Sequence, residues 1–273
     1  MSLHVDPARA REQLIDAARE AGEIALKFFR QGERTDARVD FKEGGSPVTE
    51  ADIAVNDFLR IRLSKVFEGA GWLSEENEDS IERMAHAELL IVDPIDGTRA
   101  FMAGDPRWAV SIALVMGDRP IAGVVHVPAL EETYAAASSQ GSTLNGAPIK
   151  VSERNSLADA RLAGPKPIAE SIARAAGVSL ALQPKIPSLA YRMALVASGA
   201  LDLALASERS HDWDIAAADL ILGEAGGALV GTEGRALRYN RPETRHGVLF
   251  GASTRMIGSF VEAARLASGG RLA

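Results

Sequence analysis

Two aspartates three residues apart close a short apolar run, where Glu88-Leu89-Leu90-Ile91-Val92 leads into Asp93-Pro94-Ile95-Asp96-Gly97-Thr98. Acids at the end of a buried strand find no cationic partner in their own segment. A hard divalent cation, which prefers oxygen ligands, would neutralise both. Gly97 lets the backbone approach a ligand closely. If a helical turn opens at Thr98-Arg99-Ala100-Phe101, the amides of Gly97 and Thr98 could face a phosphate. The plainer reading is that Asp93 ends a strand and Asp96-Gly97 is an ordinary turn.

Three further acidic groups bear on that choice. Glu75 and Glu76 follow the short apolar segment ending Leu73-Ser74; Glu78, Asp79 and Glu82 come soon after, so a solvated acidic loop explains them equally. Thr49-Glu50-Ala51-Asp52 has the Ser/Thr-x-x-Asp/Glu form of a capping box, which stabilises a helix start and needs no function. Asp212-Trp213-Asp214 precedes an alanine-rich helix, where acids also face the helix dipole favourably. Each group alone has a structural explanation, and their joint occurrence points to a metal site.

The elements that must position these residues follow from periodicity. Apolar residues at helical spacing predict an amphipathic helix from about Ala8 to Arg30. Arg38–Phe41 alternates like a strand and enters a Gly/Pro loop over Lys42–Pro47. A second helix is expected from Glu50 to Phe67, with Val55, Leu59, Leu63 and Val66 inward. Glu88–Val92 reads as a buried strand stopping at Asp93. Trp108–Met116, Pro120–Val127 and Glu132–Ala137 read as a meander, and Gly141–Val151 as another turn and strand. Beyond Leu157 short strands alternate with helices over Ile168–Ala176, Leu189–Gly199, Ile215–Gly226 and Thr254–Leu266. Residues 1–157 are therefore read as an α+β half with an antiparallel sheet, and residues 158–273 as an α/β half completing the site and setting substrate choice.

Composition narrows the chemistry. The 273 residues hold 30 basic and 37 acidic side chains, a net charge of −7, which argues against nucleic acid or an anionic membrane as partner. No cysteine is present, excluding a thiol nucleophile, Fe–S clusters and cysteine-ligated zinc. The N-terminal residues show no basic segment before an apolar core and no apolar run reaches a membrane span, so the expected compartment is the cytoplasm. A haloacid-dehalogenase motif requires Asp-x-Asp, not the spacing of Asp93 and Asp96. The five histidines are scattered, against a zinc phosphatase, and only His211 lies beside an acidic motif. Neither a Gly-x-Ser-x-Gly elbow nor a P-loop is present.

Taken in order, Asp52, Glu75-Glu76, Asp93 to Thr98 and Trp213-Asp214-Ile215-Ala216 resemble the signature of one superfamily. It comprises the Mg²⁺-dependent, lithium-sensitive phosphatases: inositol monophosphatases, 3′(2′),5′-bisphosphate nucleotidases and fructose-1,6-bisphosphatase relatives. Lys42…Ser46-Pro47-Val48-Thr49, Val110–Leu114 and Leu222-Gly223-Glu224-Ala225-Gly226-Gly227 extend the similarity over most of the chain. The resemblance implies a layered αβαβα sandwich with an antiparallel N-terminal sheet and a mixed C-terminal one. It implies one Mg²⁺ on Glu75, Asp93 and the Ile95 carbonyl, a second on Asp93, Asp96 and Asp214, and a weaker third leaning on Glu75. Mn²⁺ would substitute, and Li⁺ and Ca²⁺ would inhibit. Thr98 paired with Asp52 would orient the attacking water, the Gly97 and Thr98 amides would bind phosphate, and Glu76 would support the site. A homodimer is implied as well.

The substrate cues divide. Ser207, with Glu208 beside it, stands where inositol phosphatases carry a glutamate seven residues before the last ligand aspartate. Leu73-Ser74-Glu75-Glu76 resembles the bisphosphate-nucleotidase branch, whereas Asn145-Gly146 and Ile149-Lys150-Val151-Ser152 resemble the inositol branch. Inositol monophosphate and 3′-phosphoadenosine 5′-phosphate are thus equal expectations. Histidinol phosphate, another sugar phosphate and a binding role with the transcription machinery stand as alternatives. Choice is expected from Arg192, Ser207, Glu208, Arg209 and His211, since an arginine suits bidentate recognition of a second phosphate.

Overall fold

The computed structural model describes residues 5–42 and 44–269; Glu43, in the expected Gly/Pro loop, lies outside them. Helix α1 (Pro7–Leu26) begins on Asp6, whose side chain accepts the Ala8 amide, with Pro7 preset for the first turn. It buries Leu14, Ala17, Ala18, Ala21 and Ala25. A small antiparallel hairpin of β1 (Val39–Phe41) and β2 (Pro47–Thr49) leads into α2 (Glu50–Ser64). The expected capping box is present, and the helix stops three residues short of Phe67. Val66 is consequently exposed rather than inward.

Seven strands then pair in chain order: β3 (Gly71–Ser74), β4 (Glu88–Asp96), β5 (Ala109–Met116), β6 (Arg119–Val127), β7 (Glu132–Ala137), β8 (Ser142–Leu144) and β9 (Ala147–Ile149). Only β3 and β4 run parallel; the others are antiparallel. The short helix α3 (Thr98–Met102) follows β4. Two short strands occupy Gly141–Val151, where one was expected.

A second sheet holds β10 (Ala160–Ala163), β11 (Leu180–Leu182), β12 (Leu203–Ala206), β13 (Gly227–Gly231) and β14 (Leu249–Ser253) in the order β11-β10-β12-β14-β13. It is parallel across β11, β10 and β12 and antiparallel at β14. Helices α4 (Lys166–Ala176), α5 (Leu189–Ala197), α6 (Asp212–Glu224) and α7 (Ile257–Ala267) alternate with these strands.

The layers are α1 and α2, the seven-stranded sheet, α5 and α6, the five-stranded sheet, then α4 and α7. This is the αβαβα sandwich. Helices cover both faces of β4 and β5, which explains their unbroken apolar runs. One core joins Val125 and Tyr134 of the large sheet to Tyr191, Ile221 and Leu222 of α5 and α6. None of the helices among the described residues is long and apolar enough to cross a membrane.

Two sequence expectations need correction because they concern the site. Strand β4 does not stop before Asp93: pairing continues through Asp93 opposite Ser111 and Asp96 opposite Ala109, with a register shift between them. Asp212 and Asp214 do not precede their helix but form the first turn of α6.

Candidate metal and phosphate site

Carboxylate oxygens of Asp93, Asp96 and Asp214 lie within 4.8 Å of one another. Two belong to the irregular end of β4 and one to the first turn of α6, so the site forms where the large sheet meets the central helix layer. The register of β4 shifts between Asp93 and Asp96, the kind of irregularity that strands carry beside functional sites. Asp96 Oδ2 accepts Ser188 Oγ and the Ala190 amide, each at 2.6 Å, and so docks on the start of α5. Asp214 Oδ2 accepts the His211 amide at 2.6 Å. In both cases one oxygen is fixed by the protein and the other is left for a ligand.

Burial pushes the carboxyls of Asp93 and Asp214 well above their usual range, and their acidic neighbours push them further. Asp96 rises to about 6 because burial outweighs its bonds to Ser188 and Ala190. Asp93 Oδ1 accepts the Ile95 amide at 3.1 Å, whereas its buried Oδ2 has no hydrogen-bond partner. Two buried carboxylates and a third, half-buried one, with an orphaned oxygen among them, are unfavourable unless a cation joins them. An all-oxygen donor set of carboxylates fits a hard divalent ion, so these residues suit the metal that the sequence implied.

Glu75 stands beside this trio rather than within it. Its amide donates to Val92 O at 3.3 Å, which seats it next to β4. Its Oε1 lies 3.1 Å from Lys42 Nζ, which also reaches Glu76 Oε1 at 2.8 Å. Burial lifts Glu76 to about 7 against the pull of Lys42. Lys42 was part of the sequence resemblance but had no assigned role, and nothing local marks it as the partner of a motif 33 residues away.

Asp52 serves two purposes. Its Oδ2 caps α2 by accepting the Thr49 amide and hydroxyl, while Oδ1 lies 3.4 Å from Thr98 Oγ1. Burial raises it to about 6 in spite of the Thr49 bonds. The Thr98 hydroxyl is also 3.1 Å from the Ile95 carbonyl. Gly97 adopts the left-handed region at φ 95° and turns the chain so that α3 starts at Thr98 with no side-chain cap. A Cβ there would be strained and would meet Ser188 N at 3.3 Å.

A cleft of about 670 Å³ opens beside Asp96 and Asp214. Lys166, Lys185, Arg192, Ser207 and Arg209 lie on its wall with Ser210, whose buried hydroxyl has no partner. Arg192 is less free than the sequence suggested. It donates to Ile186 O from Nε at 3.2 Å and from Nη2 at 2.6 Å, and to Leu205 O from Nη1 at 2.7 Å. Glu208 is exposed and outside this cleft. His211 is stacked flat on Trp213, centroids 4.5 Å apart, with Nδ1 3.1 Å from Thr244 Oγ1. Ser188, Lys166 and Lys185 were missed because no motif surrounds them.

A carboxylate cluster facing a cationic cleft is the equipment of a metal-dependent enzyme acting on an anion, and comparison with known proteins defines the class. The chain belongs to the inositol monophosphatase family, whose model matches residues 6–266, and is a phosphoric monoester hydrolase. It is 31% identical over 241 residues to the 3′(2′),5′-bisphosphate nucleotidase CysQ of Aggregatibacter actinomycetemcomitans, covering 85% of this chain and 88% of the relative. It is 34% identical over 227 residues to inositol monophosphatase 3 of Solanum lycopersicum, covering 79% and 85%. Among solved structures, the extragenic suppressor protein SuhB of Bartonella henselae is similar at a TM-score of 0.80 and 26% identity, covering 94% of this chain and 98% of that one.

Proposed function

We propose that the chain hydrolyses a small phosphate monoester carrying a second phosphate, of the type of 3′-phosphoadenosine 5′-phosphate, with Mg²⁺ as cofactor. The observation that carries the choice is the cationic cleft. Lys166, Lys185, Arg192 and Arg209 line it beside Asp96 and Asp214. With the acids neutralised by metal, that surface presents excess positive charge to the part of the substrate beyond the reacting phosphate. Inositol monophosphate would offer only hydroxyls there, and Ser207 supplies no carboxylate to receive them.

Glu75, Asp93, Asp96, Asp214 and the Ile95 carbonyl would hold the metal, which supplies charge neutralisation and Lewis acidity. Thr98 has one hydroxyl proton and two acceptors in reach, Asp52 Oδ1 and Ile95 O. Engaged with Asp52, its oxygen accepts a hydrogen bond from the attacking water. The water proton then passes through Thr98 towards Asp52, whose elevated pKa suits proton acceptance near neutrality. The amides of Gly97 and Thr98 hold the phosphate oxygens in line. Glu76, tied to Lys42, supports Glu75.

The test is phosphate release from 3′-phosphoadenosine 5′-phosphate and from inositol 1-phosphate at matched Mg²⁺. Lys166→Ala and Lys185→Ala should each raise KM for the bisphosphate about 10-fold, as loss of a charge-assisted bond does, while sparing the monophosphate. Higher kcat/KM on the monophosphate in the parent enzyme, or equal losses on both substrates, would reject the second-phosphate reading.

A further inference from the structure

Segment 239–246, between β13 and β14, straps two distant parts of the site together. On one side it is zipped to the start of α6. The Asp212 amide donates to Thr244 O at 2.9 Å, the His246 amide donates to Ser210 O at 2.8 Å, and His211 and Arg245 form a bridge. Beneath them lies a buried pair: His246 Nε2 is 2.7 Å from Asp212 Oδ1, with the Asp212 side chain fully buried. On the other side the strap is held by Arg83, which is only 4% exposed. Arg83 donates to Asn240 Oδ1 at 2.9 Å and to Arg241 O at 2.7 Å. The same guanidinium grips Asp79 from Nε at 2.6 Å and Nη2 at 3.0 Å, four residues beyond Glu75.

The strap therefore links the loop that continues from Glu75-Glu76 to the helix turn that carries Asp214. These acids carry like charge and repel one another across the site. A cross-link between their two segments resists that separation. We infer that Arg83 and the Asp212–His246 pair are positioning residues that set the spacing of Glu75 and Asp214, and with it the affinity for the divalent cation. The inference rests on the reading of Glu75 and Asp214 as metal ligands. None of the three touches the reacting atoms.

Isothermal titration of Mg²⁺ into the folded chain tests this without recourse to turnover. Arg83→Met and His246→Leu should each weaken binding about 10-fold, the lower end of the range for partners behind a metal ligand. His246→Gln, which keeps a donor near the Nε2 position, should bind like the parent. The double variant Arg83→Met/His246→Leu should lose less than the sum of the single losses, because both act through one strap. Should His246→Leu fail to fold, Arg83→Met decides the matter. Folded variants with parental Mg²⁺ affinity and only a lower Tm would overturn the inference. Asp214→Asn serves as the control: if it too bound Mg²⁺ like the parent, the metal-site reading itself would fall, a result distinct from failure of the strap alone.

Discussion

The Lys42 ammonium lies 2.8 Å from Oε1 of Glu76, a carboxylate whose side chain is 3% exposed. Lys42 belongs to the loop between β1 and β2, so a separate hairpin delivers the counter-charge to the acidic motif. Removing a partner from a buried pair costs ~3–5 kcal/mol. Lys42 is itself 27% exposed, which reduces the expected loss for Lys42→Met to ~1–2 kcal/mol. Well above pH 7, where Glu76 is ionised, the variant cluster carries one more uncompensated negative charge and should bind divalent cations more tightly. Thermal unfolding with and without Mg²⁺ checks both points: a lower Tm without metal and a larger rise on its addition. A rise smaller than the parent's would contradict the counter-charge role.

Thr98 and Asp52 should behave as one unit. Thr98→Ala removes the hydroxyl while leaving every carboxylate in place, so metal affinity should persist and turnover should fall ~10²–10⁴-fold, the usual share of a general base. Asp52→Asn retains an oxygen that can accept the Thr49 amide, so α2 should keep its cap and the loss should be catalytic. The double variant should be little worse than either single one. Steady-state kinetics at saturating Mg²⁺ is the measurement, and near-parental turnover in either single variant would mean the water needs no protein base.

Arg192 and Arg209 share a cleft wall but should separate experimentally. Arg192 gives three N–H groups to the carbonyls of Ile186 and Leu205. Arg192→Ala should orphan both and destabilise the fold by ~1–3 kcal/mol, with losses on every substrate. Arg209 is exposed, so Arg209→Ala should leave the unfolding free energy within about 0.5 kcal/mol of the parent. Its effect should be confined to KM for a doubly phosphorylated substrate. Denaturant unfolding combined with kinetics on two substrates distinguishes the two arginines.

These contrasts mark the boundary of what the residues reveal on their own. The four acidic blocks are local in the chain, so the sequence could single out Asp93, Asp96 and Asp214, which the fold gathers together, and Asp52 and Glu75 as candidates with them. The continuation of β4 through Asp93 was not, because Pro94 and Gly97 read as chain breakers and the pairing with Ser111 and Ala109 is tertiary. Arg192 looked available because an unpaired arginine in sequence gives no hint of carbonyls at Ile186 and Leu205. The grip of Ser188 on Asp96 spans 92 residues and that of His246 on Asp212 spans 34. Contacts of that range follow from the packing of α5, α6 and the strap, not from any periodicity.

Protons and metal should compete for the same oxygens, with a definite sign. Asp52 and Asp96 rise from an ordinary 3.8 to about 6, and Glu76 from 4.5 to about 7. A carboxyl with a raised folded pKa binds more protons folded than unfolded. Its contribution to stability is therefore full below the unfolded value and is lost as pH rises through the folded one. Without metal, these groups should make the protein less stable as pH climbs from about 4 to 7. His126 opposes them, since burial lowers it from 6.5 to about 4 and its contribution is lost as pH falls through that window. That opposing effect is common to metal-free and metal-loaded protein and cancels in their difference. Saturating Mg²⁺ would hold Asp96 ionised and remove its loss, each proton displaced changing stability by ~1.4 kcal/mol per pH unit. The Tm gained on adding Mg²⁺ should consequently grow between pH 5 and pH 7.5. Differential scanning calorimetry across that range is decisive, and a gain that is flat or shrinks with rising pH would show that these carboxylates are not where the metal binds.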